Sequence, residues 1–210
     1  MTLILASASP RRRDLLSLLG VPFEVRPVDI TEEAGDGSRA ELVARRLARE
    51  KAEAARLRDH EPPILAADTV VVYAGEILGK PRDVDEARDM LHRLRGRWHE
   101  VITGVAVMPE RRTSVLLRQT VTSVLVRYLG DDEIGASIDR GDPFDKAGAY
   151  AIQDQLLAPV ESYEGCYCNV VGLPLWSAIE MLRKADVKIG VTVNALLPQC
   201  ASCPLRPPGS

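Results

Sequence analysis

A serine- and arginine-rich loop near the start of the chain has the residue types of an anion site. After an apolar run that predicts a strand come Ser7 and Ser9, then Pro10 and the pair Arg11 and Arg12. Ser9 followed by Pro10 predicts an N-cap and the first position of a helix. The free N–H groups of that helix would face the same space as the hydroxyl and guanidinium groups, which suits a phosphate. The alternative is an ordinary capped helix whose arginines are solvated.

A single carboxylate interrupts an apolar stretch of the sequence. Asp68 stands within residues 64–73, a run of apolar and β-branched residues that predicts a strand covered on both faces. A buried ionised carboxylate needs a cation or hydrogen bonds. Paired with Glu32 or Glu33 from an acidic segment, Asp68 would form a hard-oxygen site for Mg²⁺ or Mn²⁺. The alternatives are an aspartate that caps a neighbouring loop and glutamates that are solvated.

Four cysteines fall late in the chain, in two closely spaced pairs. They are Cys166-x-Cys168 and Cys200-x-x-Cys203. Four thiolates make a closed tetrahedral site, so one hypothesis is that all four bind one zinc ion. The alternative is two buried or loop thiols together with a loose terminal pair. The three histidines show neither metal-ligand spacing nor a Ser/His/Asp arrangement.

Seven short motifs occur in the order and spacing of one enzyme family. They are Ser7-Ala8-Ser9-Pro10-Arg11-Arg12, Ala67-Asp68-Thr69, Lys80-Pro81, Thr103-Gly104, Asp145-Lys146-Ala147-Gly148, Ile152-Gln153 and Asn169-Val170-Val171-Gly172-Leu173-Pro174. From about residue 3 to residue 184 the chain resembles the Maf family of nucleotide pyrophosphatases. The resemblance implies hydrolysis of a nucleoside triphosphate to a monophosphate and pyrophosphate, with Mg²⁺ or Mn²⁺ as cofactor, in nucleotide-pool housecleaning.

The resemblance also implies roles for individual residues, with Asp68 as the base. Our hypothesis from the residues is that Asp68 and Glu32 hold the metal ion. Lys51 and Lys80 match positions that reach the active cleft; considered without the resemblance, they are ordinary surface lysines. The residues expected at the catalytic centre are Asp68, Glu32, Lys51 and Lys80. The residues expected to bind substrate are Ser7, Ser9, Arg11, Arg12, Thr69, Asp145, Lys146 and Gln153. Arg82 is a weaker candidate.

Substrate choice is associated in the family with the positions of Arg11, Thr69 and Gln153, and this set resembles the members that act on dTTP and UTP. A glutamine offers both a donor and an acceptor, as the edge of a uracil or thymine ring requires. The chain departs from many such members at Ala151 and Asp154, where they have glycine. The departure affects the expected base preference more than the expected reaction.

Two other functions compete with this interpretation. A non-catalytic nucleotide-binding regulator of cell division would use the same serine and arginine loop but would need no water-activating carboxylates. A kinase or P-loop enzyme is disfavoured because the sequence has no Gly-x-x-x-x-Gly-Lys-Ser/Thr run.

Composition restricts the partners and the location. With 27 Lys and Arg against 30 Asp and Glu, the formal net charge is −3, so we expect no broad basic surface for nucleic acid or a membrane. The N-terminus lacks the pattern of a secretory signal, and no apolar run approaches the ~20 residues that span a bilayer. A cytoplasmic location is therefore expected.

Strands that alternate with helices predict the α/β fold that must position these residues. The predicted strands are residues 22–28, 64–73, 99–108 and 114–128, the last two as a hairpin, after a first strand that ends before Ser7. Helices are expected after Ser9, after Ser38, which with Glu41 has the form of a capping box, after Asp83, from Asp131 or Asp132, and over 174–184. Residues 142–155 are expected to form a loop and a strand.

The resemblance adds the overall architecture. It implies an elongated, two-lobed, mixed and twisted sheet with flanking helices, similar to the inosine triphosphatase group, and a homodimer. We expect a Maf-like nucleotide pyrophosphatase domain over residues 1–186. Residues 187–210 would be a C-terminal extension that ends in a Cys-x-x-Cys tail.

Overall fold

A seven-stranded mixed sheet forms the centre of the protein in the computed structural model, which describes residues 2–30, 39–58, 61–110, 114–190 and 196–208. The strands are β1 (Leu3–Leu5), β2 (Phe23–Val25), β3 (Ile64–Tyr73), β4 (Glu76–Leu78), β5 (Trp98–Met108), β6 (Leu116–Val126) and β7 (Val160–Glu164). Their order is β2-β1-β3-β5-β6-β7, with β4 paired to β3. Strand β1 is parallel to β2 and β3, and the other pairs are antiparallel.

Helices cover both faces of this sheet. They are α1 (Pro10–Ser17), α2 (Ala40–Ala55), α3 (Val84–Leu94), α4 (Asp131–Asp139), α5 (Tyr167–Val171) and α6 (Leu175–Lys184). Because side chains alternate along a strand, Leu65 and Ala67 of β3 pack with α1 and α6, whereas Ile64 and Ala66 pack with α2. Helices α3 and α4 enclose a separate apolar cluster at the other end of the long strands. The predicted mixed α/β sheet with flanking helices is confirmed.

The edge of β3 is open at its middle, and this gap determines where a cleft can form. Strand β1 pairs with β3 at Ile64 and Leu65. Strand β4 takes up the same strand again at Val71. Among the described residues, no strand pairs with β3 between Leu65 and Val71 on that edge, so the loop after β1 and the side chains of Asp68 and Thr69 face the gap.

Helix α2 approaches the sheet closely because β5 has no side chain at one position. A Cβ at Gly104 would lie 2.2 Å from the carbonyl oxygen of Ala44. Apolar residues of α2, including Val43 and Leu47, pack against Ile102 of β5 and Val70 of β3. The backbone of α2 therefore packs directly against β5, and the later turns of the helix place Lys51 beside β3.

Most of the predicted elements are present. The side chain of Ser9 caps α1 by accepting from the backbone N–H of Arg12 at 3.4 Å, and Asp83 caps α3 by accepting from Glu86 at 2.8 Å. Strand β3 spans the predicted residues 64–73, and β5 and β6 form the predicted antiparallel hairpin. Helix α2 begins at Ala40 with Arg39 at its N-cap, whereas Ser38 lies outside the described residues.

Other expectations are wrong. Residues 142–155 hold turns and a 3-10 turn at Ala147–Ala149 rather than a strand. The expected strand over 22–28 shortens to Phe23–Val25. Strand β7 escaped prediction because its sequence Val-Glu-Ser-Tyr-Glu is short and charged, as is typical of edge strands. The expectation of a loose terminal cysteine pair is also wrong, since Cys200 and Cys203 are buried in the core beside α6.

Candidate active site

The gap at the edge of β3 opens into a cleft of about 410 Å³ between the two ends of the molecule. The described residues predicted for catalysis and substrate binding all line it: Ser7, Ser9, Arg11, Arg12, Lys51, Asp68, Thr69, Lys80, Asp145, Lys146 and Gln153. Glu32, the predicted second metal ligand, and its alternative Glu33 lie outside the described residues. Residues far apart in sequence thus share one concave surface.

An ion pair lies at the inner wall of the cleft. Lys51 of α2 donates from Nζ to Oδ1 of Asp68 on β3. Lys51 is 8% exposed and Asp68 is 5% exposed, so each charge needs the other to offset its loss of water. The carboxylate predicted from an apolar strand thereby has the cationic partner that its burial demands.

The loop after β1 directs hydrogen-bond donors toward the same space. The backbone N–H of Ser9 donates to Oγ of Ser7 at 3.2 Å, which folds the loop back on itself. Helix α1 starts at Pro10, and both serines line the cleft. Because the first N–H groups of a helix have no partner within the helix and lie at its positive end, this loop favours an anion.

Arg12 connects three parts of the site. Its Nε donates to the carbonyl of Gly172 at 2.9 Å, Nη1 to Oγ of Ser7 at 3.3 Å and Nη2 to Oγ1 of Thr69 at 3.1 Å. Gly172 has φ 123°, a backbone conformation that glycine adopts without strain. The guanidinium group thus fixes the loop after β1, strand β3 and the end of α5 relative to one another.

The opposite wall carries a second charged group. Arg11 Nη1 donates to Oδ2 of Asp145 at 3.1 Å across the mouth of the cleft. Lys146 donates to the carbonyl of Asp142 and to the carboxylate of Asp145. Although burial acts to raise the pKa of Asp145, hydrogen bonds from Lys146 and Arg11 bring that pKa below its ordinary value. Asp145 is therefore a carboxylate at neutral pH, hydrogen-bonded by Lys146 and Arg11.

Gln153 is exposed at the tip of a tight turn that faces the cleft. The N–H of Asp154 donates to the carbonyl of Ala151 at 3.1 Å, which closes the turn around Gln153. Oδ1 of Asp154 accepts from the N–H groups of Leu156 and Leu157 at 2.9 and 3.0 Å. Ala151 and Asp154, the two residues that depart from the family pattern, thus form the turn in which Gln153 lies.

Sequence reasoning missed residues that lie behind the cleft. Tyr150 lines it, and its hydroxyl lies 2.7 Å from Nε2 of buried His99. Oγ1 of Thr103 lies 2.9 Å from that of Thr69 and donates to the carbonyl of Asn169 at 2.9 Å. Thr103 and Asn169 each begin a recognised motif, which was the available signal, whereas nothing in the sequence connected His99 with Tyr150.

Acid should destabilise the protein through His99. Burial lowers the pKa of His99 from 6.5 to about 4, so the unfolded chain binds a proton near pH 6.5 that the folded chain does not bind until about pH 4. Stability therefore rises with pH across this window. We expect a loss of about 2 to 3 kcal/mol from this group between pH 6.5 and pH 4.

Urea unfolding at several pH values measures this loss. His99→Gln retains a donor and an acceptor for Tyr150 but does not titrate. Between pH 6.5 and pH 4 the wild-type protein should therefore lose about 2 to 3 kcal/mol more stability than this variant. Equal losses in the two proteins would show that His99 titrates normally in the fold.

The family of the chain follows from comparison with known sequences. The model of the family described as "Maf-like protein" matches residues 2–185. The chain belongs to the Maf-like protein family. One similar relative, the dTTP/UTP pyrophosphatase of Thermomicrobium roseum, is 53% identical over 209 residues, which cover 99% of this chain and 95% of the relative. The dTTP/UTP pyrophosphatase of Geobacter sulfurreducens is 49% identical over 182 residues, 87% of this chain and 95% of the relative.

Two solved structures are similar to this Maf-like protein at lower identity. The Ham1 protein of Staphylococcus aureus is 14% identical, with a TM-score of 0.44 over 60% of this chain and 72% of the Ham1 chain. The HAM1 protein of Coxiella burnetii is 19% identical, with a TM-score of 0.40 over 60% and 73% of the two chains.

Two predicted groups of the Maf-like chain lie away from the cleft. The side chain of Arg82 is 84% exposed, and its Nε donates to Oε2 of Glu86 at 2.9 Å. Arg82, the weaker candidate, therefore contacts the first turn of α3. The four cysteines are buried together beside α6 rather than in the cleft. Among the described residues, no helix has the length and apolar character needed to cross a membrane.

The donor set of the cleft suits Mg²⁺ or Mn²⁺. Asp68 supplies a carboxylate, the ligand type that these hard cations prefer. In the part of the chain that the structure describes, no three His, Cys, Asp or Glu side chains form a metal-binding group by themselves. Mg²⁺ is commonly held by one or two carboxylates together with substrate phosphates, so a site with few protein ligands is consistent with it.

Proposed function

We propose that this Maf-like protein hydrolyses dTTP and UTP to the nucleoside monophosphate and pyrophosphate. The observation that carries the proposal is the buried Lys51–Asp68 pair at the wall of a cleft that also collects hydroxyl groups, cationic side chains and a helix N-terminus. The names of the Thermomicrobium and Geobacter relatives support the same activity and substrates.

The phosphate chain would lie along the loop after β1. The hydroxyl groups of Ser7 and Ser9 and the first N–H groups of α1 would donate to its oxygens. Lys80 lines the cleft, is exposed, and has no hydrogen bond or ion pair with another described residue, so its ammonium is available to neutralise phosphate charge. Arg12 holds Ser7 and the loop after β1 in place through its hydrogen bonds to Ser7, Thr69 and Gly172.

Asp68 would act on the attacking water. Its carboxylate orients the water and accepts its proton as the oxygen attacks the α-phosphorus, and the bond from that phosphorus to the bridging oxygen of the β-phosphate breaks. Lys51 offsets the charge of the carboxylate and fixes its direction through their ion pair. A Mg²⁺ or Mn²⁺ ion held by Asp68 and Glu32 would polarise the phosphoryl oxygens and lower the pKa of the water. Pyrophosphate then leaves.

The base would lie against the turn of Gln153. The side-chain carbonyl of Gln153 can accept from the ring N–H of uracil or thymine, and its amide can donate to a ring carbonyl. Arg11 lines the same cleft and is hydrogen-bonded to Asp145. Thr69 lies beneath, bonded to Arg12 and Thr103.

Product analysis tests the proposal directly. The purified chain is incubated with dTTP, UTP, CTP or GTP and Mg²⁺, and the products are separated by ion-exchange chromatography. We expect monophosphate and pyrophosphate in equal amounts, with dTTP and UTP consumed faster than CTP or GTP. In the same panel, Gln153→Ala should reduce the preference for dTTP and UTP about tenfold, the effect of roughly one hydrogen bond, without changing the products.

Other products would contradict the proposal. Orthophosphate and a nucleoside diphosphate would place cleavage at the other phosphoanhydride bond. Tight nucleotide binding with no product after long incubation would favour the regulator of cell division over the enzyme. The homodimer and the cytoplasmic location expected from the sequence stay predictions.

A further inference from the structure

Four buried cysteines from two distant segments meet beside α6. Cys166 and Cys168 stand at the start of α5, and Cys200 and Cys203 come from the C-terminal segment. Their exposed fractions are between 1% and 7%, and none is in a disulfide. The Sγ atoms of Cys168 and Cys200 are 3.5 Å apart. The fold thus brings the thiols of Cys168 and Cys200 into contact although the two residues are 32 positions apart in the sequence.

The four thiols lie next to one another. Cys168 and Cys200 are hydrogen-bonded through their Sγ atoms, and the side chain of Cys166 interacts with those of Cys168 and Cys203. As placed, no three of the described His, Cys, Asp or Glu side chains are arranged as a metal-binding group. Four sulfurs bound to one zinc ion at about 2.3 Å lie about 3.8 Å from one another. The 3.5 Å between the Sγ atoms of Cys168 and Cys200 is close to that value.

We propose that Cys166, Cys168, Cys200 and Cys203 bind one zinc ion. Four thiolates make a closed tetrahedral site, and the x₂ spacing of the second pair is a usual zinc-ligand spacing. Soft thiolate donors select zinc over Mg²⁺, so this site and the cleft take different metals. Zinc replaces the thiol protons, which pass to solvent, and leaves a doubly negative cluster.

The zinc would fasten the C-terminal segment to a wall of the cleft. Val170 and Val171 follow the first cysteine pair and line the cleft. The carbonyl of Asn169 accepts from Thr103, and that of Gly172 accepts from Arg12. The N–H of Trp176 on α6 donates to the carbonyl of Cys200 at 3.2 Å. Helix α5 thus connects the zinc site to Arg12, which donates to the carbonyl of Gly172 at the end of that helix.

Metal analysis of the full-length protein tests the proposal. We expect about one zinc ion per chain after purification under reducing conditions. After the zinc is removed with a chelator, added Co²⁺ should give the intense thiolate-to-metal absorption and the visible bands of a tetrahedral site, which saturate near one Co²⁺ per chain. The double variant with Cys200→Ser and Cys203→Ser should retain at most about a tenth of the zinc per chain that the wild-type protein holds, because two of the four ligands are gone. Ser202→Ala, an exposed position between them, is the matched control and should retain the zinc.

Three results would overturn the proposal. The first is protein without zinc in which Co²⁺ produces no thiolate absorption while all four thiols react with a thiol reagent. The second is the loss of two reactive thiols to a disulfide in the purified protein. The third is a double variant that retains a full zinc ion. Since the Co²⁺ spectrum is recorded on the wild-type chain, the test holds even if the double variant does not fold.

Discussion

Replacing Asp68 with Asn should lower kcat for dTTP and UTP about 10³-fold, the middle of the range for a lost general base. Asparagine has nearly the same shape and still offers Lys51 a carbonyl oxygen, so the side chain can stay in place. It cannot accept the proton of the attacking water, and it is a poorer ligand for Mg²⁺. Because the phosphate-binding donors lie on other elements, KM should change much less than kcat. Initial rates of pyrophosphate release at saturating substrate measure the effect.

A matched variant separates this effect from a general change of charge. Asp139 is an exposed carboxylate at the end of α4, and Asp139→Asn should leave kcat within about twofold, as is usual for exposed sites. Circular dichroism should show that Asp68→Asn keeps the wild-type secondary structure. A folded Asp68→Asn protein with more than about a tenth of the wild-type kcat would show that another group is the base.

Much of the fold could be predicted because its strongest elements follow local rules. Strand β3 is a run of ten residues that are apolar or β-branched apart from Asp68, and the hairpin of β5 and β6 has two long β-rich segments. The failures share a physical cause. Strand β7 and helix α5 each have five residues, too few for a periodic pattern, and tertiary contacts decide their conformation.

The candidate site was predictable in its residues but not in its contacts. Asp68 was identified because an aspartate in an apolar strand must have a partner, and the structure supplies Lys51. That pairing depends on how α2 crosses the sheet, which the sequence pattern does not encode. Arg12 illustrates the same limit: it was predicted as a phosphate ligand, whereas its hydrogen bonds tie together three segments of the fold. The position of α2 is consequently a property on which the chemistry depends.

Gly104→Ala should test that dependence by moving α2 away from the sheet. The new Cβ would lie 2.2 Å from the carbonyl oxygen of Ala44 and 2.7 Å from the backbone nitrogen of Arg45, and backbone cannot rotate away as a side chain can. We expect a loss of about 3 kcal/mol in the free energy of unfolding, at the upper end of typical overpacking, or failure to fold. In protein that folds, kcat should fall because Lys51 no longer reaches Asp68.

Urea unfolding compares this variant with the same change at a position that has room. Gly135 lies within α4 and a Cβ there meets no atom within 4 Å, so Gly135→Ala should stabilise the protein by about 0.5 to 1 kcal/mol. The two substitutions add the same methyl group, so their opposite signs would isolate the contact with α2. A Gly104→Ala protein as stable as the wild type would mean that α2 can shift over the sheet without cost, and its kcat would then show whether the Lys51–Asp68 pair needs the helix at its present depth.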